Sequence, residues 1–342
     1  MTKPTFTGLI ALAIGLVMTG HAVAQVDRVY LKAGNQVSGK LTVSKKGVSV
    51  DNGNKKQNIP AGEIEKIVYQ GAPAGLTKGR EFVLDGQYDQ ALEELKTVDI
   101  KATQRKVIAA DTAFYLSYCK CQLALAGRAD KKAAAKEALA FLSTYRDSWH
   151  FFTAAATLGK LTLADGDPGK AITYFKGAMG AAVTKEQQME GVYLGALAKV
   201  AQGDFPGAAV DFDKVIGLDV QSVESARIRT LAKAAKSVAL AKSGDADGAS
   251  QLVDQLVEDL DPTDIELAAR IYNAQGAMYE AKSDSEGAVH SYLHTHLMFS
   301  AQADAHAQAL SRLAVLWPKV SQPARAAEAK QSLRKLYPGY SE

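Results

Sequence analysis

Cysteine is nearly missing from this chain: two residues, Cys119 and Cys121, in 342. Both fall in one segment with helical spacing, and positions two apart on a helix point in different directions. No disulfide framework can therefore hold the protein together. Two small buried side chains are the plain expectation. A redox pair is the alternative, but it favours C-x-x-C at a helix start, where the thiolate is stabilised, and the spacing here is C-x-C. Aromatics are also sparse, at 7%. There is no Gly-rich phosphate loop, no G-x-S-x-G element and no H-E-x-x-H. No cysteine–histidine pair is poised for nucleophilic work either. The expectation is a protein that is not an enzyme and carries no cofactor.

A long apolar run is likewise missing. The longest stretch, Phe6 to Met18, falls short of the roughly 20 residues of a transmembrane helix and is followed by Thr19, Gly20 and His21. With Lys3 before it and Ala22-Val23-Ala24 after it, the stretch reads as a secretory signal over residues 1–24. Cleavage is expected near Gln25. No cysteine follows that point to accept a lipid anchor, so a periplasmic or secreted location is expected, with no transmembrane segment after cleavage.

The formal charge of +3 says little, but its distribution is uneven. Residues 25–70 hold eight Lys/Arg against four Asp/Glu, while residues 71–342 come to about −2. The basic part also has its own periodicity. Val29/Leu31, Leu41/Val43 and Val48/Val50 alternate with polar residues, as strands require. Ala33-Gly34-Asn35, Lys46-Gly47 and Asp51-Asn52-Gly53-Asn54 mark turns between them. Four or five strands over residues 26–70 are expected. The pattern Val29-x-Leu31-x-x-Gly34-x-x-Val37-x-Gly39-x-Leu41 resembles the opening strands of Sm-like and SH3-like small barrels. Sm proteins that bind RNA use an Asp and an Asn in the next turn. That turn is Ser44-Lys45-Lys46-Gly47 here, so the resemblance implies a barrel without nucleic-acid binding.

Gly71-Ala72-Pro73-Ala74-Gly75 reads as a linker, and beyond it, over 76–340, apolar residues adopt helical spacing. A repeat is visible in this region. Gly166-Asp167 with Ala171 and Phe175 recurs as Gly203-Asp204 with Ala208 and Phe212, and as Gly244-Asp245 with Ala249. Looser copies begin at Gly86, Gly127, Ser283 and Ser321, giving spacings of 41, 39, 37, 41, 39 and 38. Seven residues before most anchors stands a small side chain: Gly79, Gly159, Ala196, Ser237, Gly276 and Ala314. Large residues follow at Phe82, Tyr279 and Trp317, and Pro338 ends the last copy.

In these features the chain resembles the tetratricopeptide repeat family, whose unit is a pair of helices brought close by small residues. The resemblance implies a mainly α fold, a superhelix of about seven helix pairs behind the small barrel-like domain, with an extended concave surface. The family's unit is 34 residues, shorter than the spacings here, so some first helices or loops must be longer.

In that family the first helices line the groove, which by transfer places Arg80, Lys160, Tyr193, Lys242, Arg270, Asn273, Glu280 and Lys319 there. The set is mostly basic and suggests an acidic or C-terminal carboxylate ligand, although the Asn residues of the family's carboxylate clamp are not reproduced. His290 and His294, four apart, share a helix face at a metal-compatible spacing, with His296 and His306 nearby. Their second-helix positions face outward, and a solvated face is the expectation over a zinc site.

Three functions remain open on these grounds: a scaffold that captures a peptide or partner subunit in the groove, an adaptor that docks its basic β domain on anionic lipid, polysaccharide or peptidoglycan, and a histidine-based metal enzyme.

Overall fold

The computed structural model describes residues 26–338 and Tyr340. The expected signal segment lies outside the described residues. Five strands come first: β1 (Asp27–Leu31), β2 (Gln36–Ser44), β3 (Gly47–Asp51), β4 (Lys56–Pro60) and, after a single 3-10 turn, β5 (Ile64–Val68). They form one antiparallel sheet in the order β4-β3-β2-β1-β5. The long β2 pairs with β1 through Gln36–Gly39 and with β3 through Lys40–Ser44, so it changes partner at Gly39. Glycine is required there, because a Cβ would lie 2.4 Å from the Asp51 carbonyl oxygen.

The expectation of a barrel needs correction: the sheet is open, with β4 and β5 at its edges. Helices do the covering that closure would otherwise do. Buried Ile64, Ile67 and Tyr69 share one apolar core with Leu76 and Val83 of the first helix and Ile108, Phe114 and Tyr115 of the third.

Fourteen α-helices follow among the described residues: α1 (Ala74–Leu84), α2 (Tyr88–Leu95), α3 (Lys106–Leu125), α4 (Lys131–Thr144), α5 (Phe151–Ala164), α6 (Pro168–Met179), α7 (Lys185–Ala201), α8 (Phe205–Ile216), α9 (Val223–Lys242), α10 (Ala246–Glu258), α11 (Ile265–Ala281), α12 (Ser285–Met298), α13 (Ala303–Leu316) and α14 (Pro323–Leu336). They make seven antiparallel pairs. A 3-10 turn, Trp317–Val320, carries the last pair's connection.

Each repeat anchor turns out to be the residue that reverses the chain within a pair. Gly86, Gly127, Gly166, Gly203, Gly244, Ser283 and Ser321 all have positive φ, between 61° and 91°. The amide after each anchor donates to the carbonyl five residues back, as Asp167 N does to Thr162 O at 3.1 Å, closing the first helix as a Schellman motif does. An aspartate then opens the second helix: Asp130, Asp167, Asp204, Asp245 and Asp284 each accept a hydrogen bond from the backbone N–H three residues on. Such a cap contributes about 1 kcal/mol. Gly-Asp thus encodes a stop and a start.

Within the pairs, the small residues permit contact that a side chain would block. A Cβ on Gly159 would lie 2.3 Å from the Phe175 ring, and one on Gly276 would lie 2.6 Å from Tyr292. Ala91, Ala171, Ala208, Ala249 and Ala288, five residues past their anchors, are fully buried opposite them.

Between pairs, odd-numbered helices pack on the odd helices before and after them, while even-numbered helices chiefly touch their own partner and the next odd helix. Odd helices therefore form the inner wall of the superhelix. The coil also brings its two halves together: a Cβ on Gly127, in the α3–α4 turn, would lie 2.9 Å from the Leu336 carbonyl oxygen at the end of α14.

Candidate partner-binding surface

The inner wall carries a run of polar contacts, and nearly all of them join one odd helix to the next. Lys160 on α5 meets Glu190 on α7 at 3.2 Å. Arg227 on α9 meets Asp264 at 2.9 Å and Glu266 at 2.6 Å, at the start of α11. Arg270 on α11 meets Glu266 one turn back at 3.3 Å and Asp304 on α13 at 2.7 Å. Glu280 pairs with Arg312 of α13 and accepts from Tyr292 Oη at 2.9 Å. Asn273 donates to the Ala305 carbonyl at 2.9 Å and to Gln308 Oε1 at 3.0 Å.

Electrostatics keep Glu266 and Asp304 of this network ionised. Burial acts to raise the Glu266 carboxyl, but Arg270 and Arg227 outweigh it and hold the group below its ordinary range. Asp304 is likewise held low by Arg270 against the effect of burial. The Tyr193 phenol is pushed up by burial.

The expected groove residues divide into three sets. Arg270, Glu280, Asn273 and Lys160 belong to the network above. Lys242 and Lys319 are exposed, the first at the end of α9 and the second in the 3-10 turn before α14. Arg80 and Tyr193, and within the network Asn273, need correction as ligand contacts, because all three are buried. Arg80 is fully enclosed and donates to the Ile67 carbonyl of β5 at 2.7 Å. Its place on the first helix suits a groove, but the sheet covers that place. The predicted basic character also changes, since Lys160, Arg227, Arg270 and Arg312 each have an acidic partner from a neighbouring turn or helix. Arg227, Glu190, Asp304 and Arg312 complete the network, and sequence reasoning missed them because their partners lie 30 to 39 residues away.

The sheet joins the helices through a second polar cluster. Arg105, before α3, grips buried Asp27 with both nitrogens, at 2.8 and 2.6 Å. Asp111 of α3 accepts from Tyr69 Oη at 3.1 Å and from Trp149 Nε1 at 3.2 Å. His150 stacks on Phe114 with ring centroids 3.6 Å apart, and burial lowers its pKa. Farther along, a Cβ on Gly62 would lie 2.6 Å from Thr184 before α7, and Lys32 pairs with Glu224 of α9 at 3.1 Å. The sheet thus lies along the starts of α3, α7 and α9. A β unit separate from a helical spacer is not what the fold presents.

The histidines divide too. His290 and His294 are exposed, the latter edge-on to Tyr272 at 4.5 Å. His296 Nδ1 lies 2.7 Å from His306 Nε2, and His306 Nδ1 lies 2.7 Å from Tyr337 Oη. Among the described residues, no three His, Cys, Asp or Glu side chains are grouped to hold a metal ion. Cys119 and Cys121 are buried, and burial pushes both thiols up to about 12.

Solved structures are similar to this chain to different degrees. A tetratricopeptide repeat protein from Parabacteroides merdae superposes with a TM-score of 0.54 at 16% identity, covering 77% of this chain and 92% of that one. Pseudomonas aeruginosa pilF aligns at 14% identity over 68% of this chain and 93% of its own, with a TM-score of 0.44. The Naa15/Naa10 assembly bound to HypK aligns at 16% identity over 77% of this chain and 37% of that one, with a TM-score of 0.32. The fold of the helical region is that of tetratricopeptide repeat proteins, preceded by a five-stranded antiparallel sheet. No protein-family model and no curated protein matches the sequence. Among the described residues, no helix is long and apolar enough to cross a membrane.

Proposed function

We propose that the protein is an exported, non-enzymatic scaffold that holds a peptide or partner subunit against the inner wall of its helical superhelix. The observation that carries this reading is the inner-wall network, in which partly accessible charges are held in place by neighbours one helix away. Lys160 keeps 43% of its side-chain surface open and Asp304 keeps 56%. Such preorganised, half-open pairs offer a partner both signs of charge at small ordering cost. A segment with alternating acidic and basic side chains can extend the network from helix to helix. The mixed signs support this ligand better than a purely acidic one.

Export rests on the leader-like residues 1–24, and the mature N-terminus would be Gln25 by mass spectrometry of the native protein. The binding surface is tested with a photo-cross-linking residue at Lys160, on the inner wall, and at Lys132, on even-numbered α4. In intact cells the first position should yield one discrete adduct and the second none. Equal yields, or adducts from Lys132 alone, would remove the inner wall as the site. Charge reversal at Arg270 is a poor probe, because it strands Glu266 and Asp304 and disturbs the stack itself.

A further inference from the structure

Seven of the eight cations of the β region fall into two groups in the folded molecule, and Arg28, exposed on β1, belongs to neither. On the side facing the helices, charges are matched: Asp27 with Arg105, Lys32 with Glu224, and Lys66 with Glu81 at 2.7 Å. The half made by β2, β3 and β4 is different. It carries Lys40, Lys45, Lys46, Lys55 and Lys56, all exposed, against one acid, Asp51. The strand register sorts these residues onto one face. Lys40, Asp51 and Lys56 stand opposite one another in one row across the three strands, and Thr42, Ser49 and Asn58 in the next. Lys45 and Lys46 close the far end of that face at the β2–β3 turn.

We propose that this face binds an acidic polysaccharide. The second row presents the exposed Thr42 hydroxyl and Asn58 amide two strand spacings apart, about 10 Å, comparable to two residues of a pyranose chain, with lysines at both ends for carboxylates. Between them the Ser49 hydroxyl is buried and has no hydrogen-bond partner, so its neighbours must give way for it to meet water or a ligand. The turn bearing Lys55 is held by local bonds, Asn52 Oδ1 accepting from the amides of Asn54 and Lys55 at 3.1 and 2.8 Å. Little ordering is therefore left to complete on binding.

Other polyanions fit less well. Single-stranded nucleic acid is bound by stacking on aromatic rings, but Tyr69 is buried and Tyr30 lies beneath Lys66 on the other half of the sheet. Stable lipid anchoring adds an inserted apolar group to the cations, and none of the exposed large apolar side chains lies on β2, β3 or β4.

The test uses the full chain, with polygalacturonate as ligand, dextran as its uncharged counterpart, polyglutamate as a polyanion without sugar hydroxyls, and phosphatidylglycerol vesicles. Lys40→Glu, Lys46→Glu and Lys56→Glu together should weaken polygalacturonate binding by about tenfold or more. The same three-charge reversal on helices, at Lys132, Lys185 and Lys330, should change it less than twofold. Thr42→Ala with Asn58→Ala leaves every charge in place; it should weaken binding severalfold with an unchanged salt dependence, which diffuse charge attraction does not predict. The proposal is overturned if the wild-type chain does not bind polygalacturonate, if polyglutamate binds as tightly, if both triple reversals cost the same, or if only vesicles are bound.

Discussion

Acidification should loosen the last two helix pairs through one residue, His306. Its two ring nitrogens are both engaged, by His296 Nδ1 and Tyr337 Oη, each at 2.7 Å. A neutral imidazole has one donor and one acceptor nitrogen, so a single proton serves the contact between the two rings. Charging His306 while His296 keeps its Nδ1 proton sets N–H against N–H. Burial first, and then His296, lowers the His306 pKa to about 4. Asp304, on the same helix, and the Tyr337 phenol are the other titratable groups close by.

A folded pKa below the unfolded value of about 6.5 means that the unfolded chain binds protons more readily. The stabilising contribution is therefore complete above pH 6.5 and is lost as pH falls toward 4. At 1.36 kcal/mol per unit the full span comes to about 3 kcal/mol, with about 2 kcal/mol gone by pH 5. Urea unfolding followed by tryptophan fluorescence at pH 7.5, 6.5, 5.5 and 5.0 reads this, because Trp317 is buried in the last unit. Comparison with His306→Gln removes the contribution of every other titrating group. The variant should be less stable at pH 7.5, and its deficit should shrink by about 2 kcal/mol at pH 5. A deficit independent of pH, or one that grows on acidification, refutes the reasoning.

Two further outcomes follow from local geometry. Ser283 holds a φ of 61°, where a non-glycine residue costs about 1 kcal/mol; Ser283→Gly should raise stability by a few tenths of a kcal/mol after the unfolded-state cost of glycine, whereas Gly166→Ala should lower it by about 1 kcal/mol, both measured by thermal melts. Arg105→Leu leaves buried Asp27 without its guanidinium and should destabilise the sheet–helix junction by about 3 kcal/mol or more, seen as a changed Trp149 emission and faster proteolysis within residues 26–70.

The helical region could be foreseen because the decisive residues act locally. A left-handed turn favours glycine, the next helix start favours aspartate, and close helix approach requires a missing Cβ. Those needs leave Gly166-Asp167 and Gly159 at fixed spacings. The inner wall could not be foreseen in the same way, since whether Arg270 meets Asp304 depends on how far one pair is rotated on the next. The repeat spacing of 37 to 41 residues alters that rotation without changing the pattern inside a unit. Arg80 fails for a related reason: its position within the unit is right, but the first unit carries a sheet where later units carry another helix pair. The open sheet was hidden because alternation and turns look alike in a closed barrel and in one whose inner face is filled by helices. His306 was noted only for its chemistry, as Tyr337 lies a full helix pair away.

The contact between Gly127 and Leu336 joins residues five helix pairs apart along the array. Stacked helix pairs ordinarily fray from whichever end is free and tolerate the gain or loss of a unit. Here the end of the last helix touches the turn of the second pair, and the first pair is covered by the sheet. Inserting or deleting one pair between the two would carry Leu336 away from Gly127 and remove that contact, so the contact reports on the number of pairs that separate its two sides.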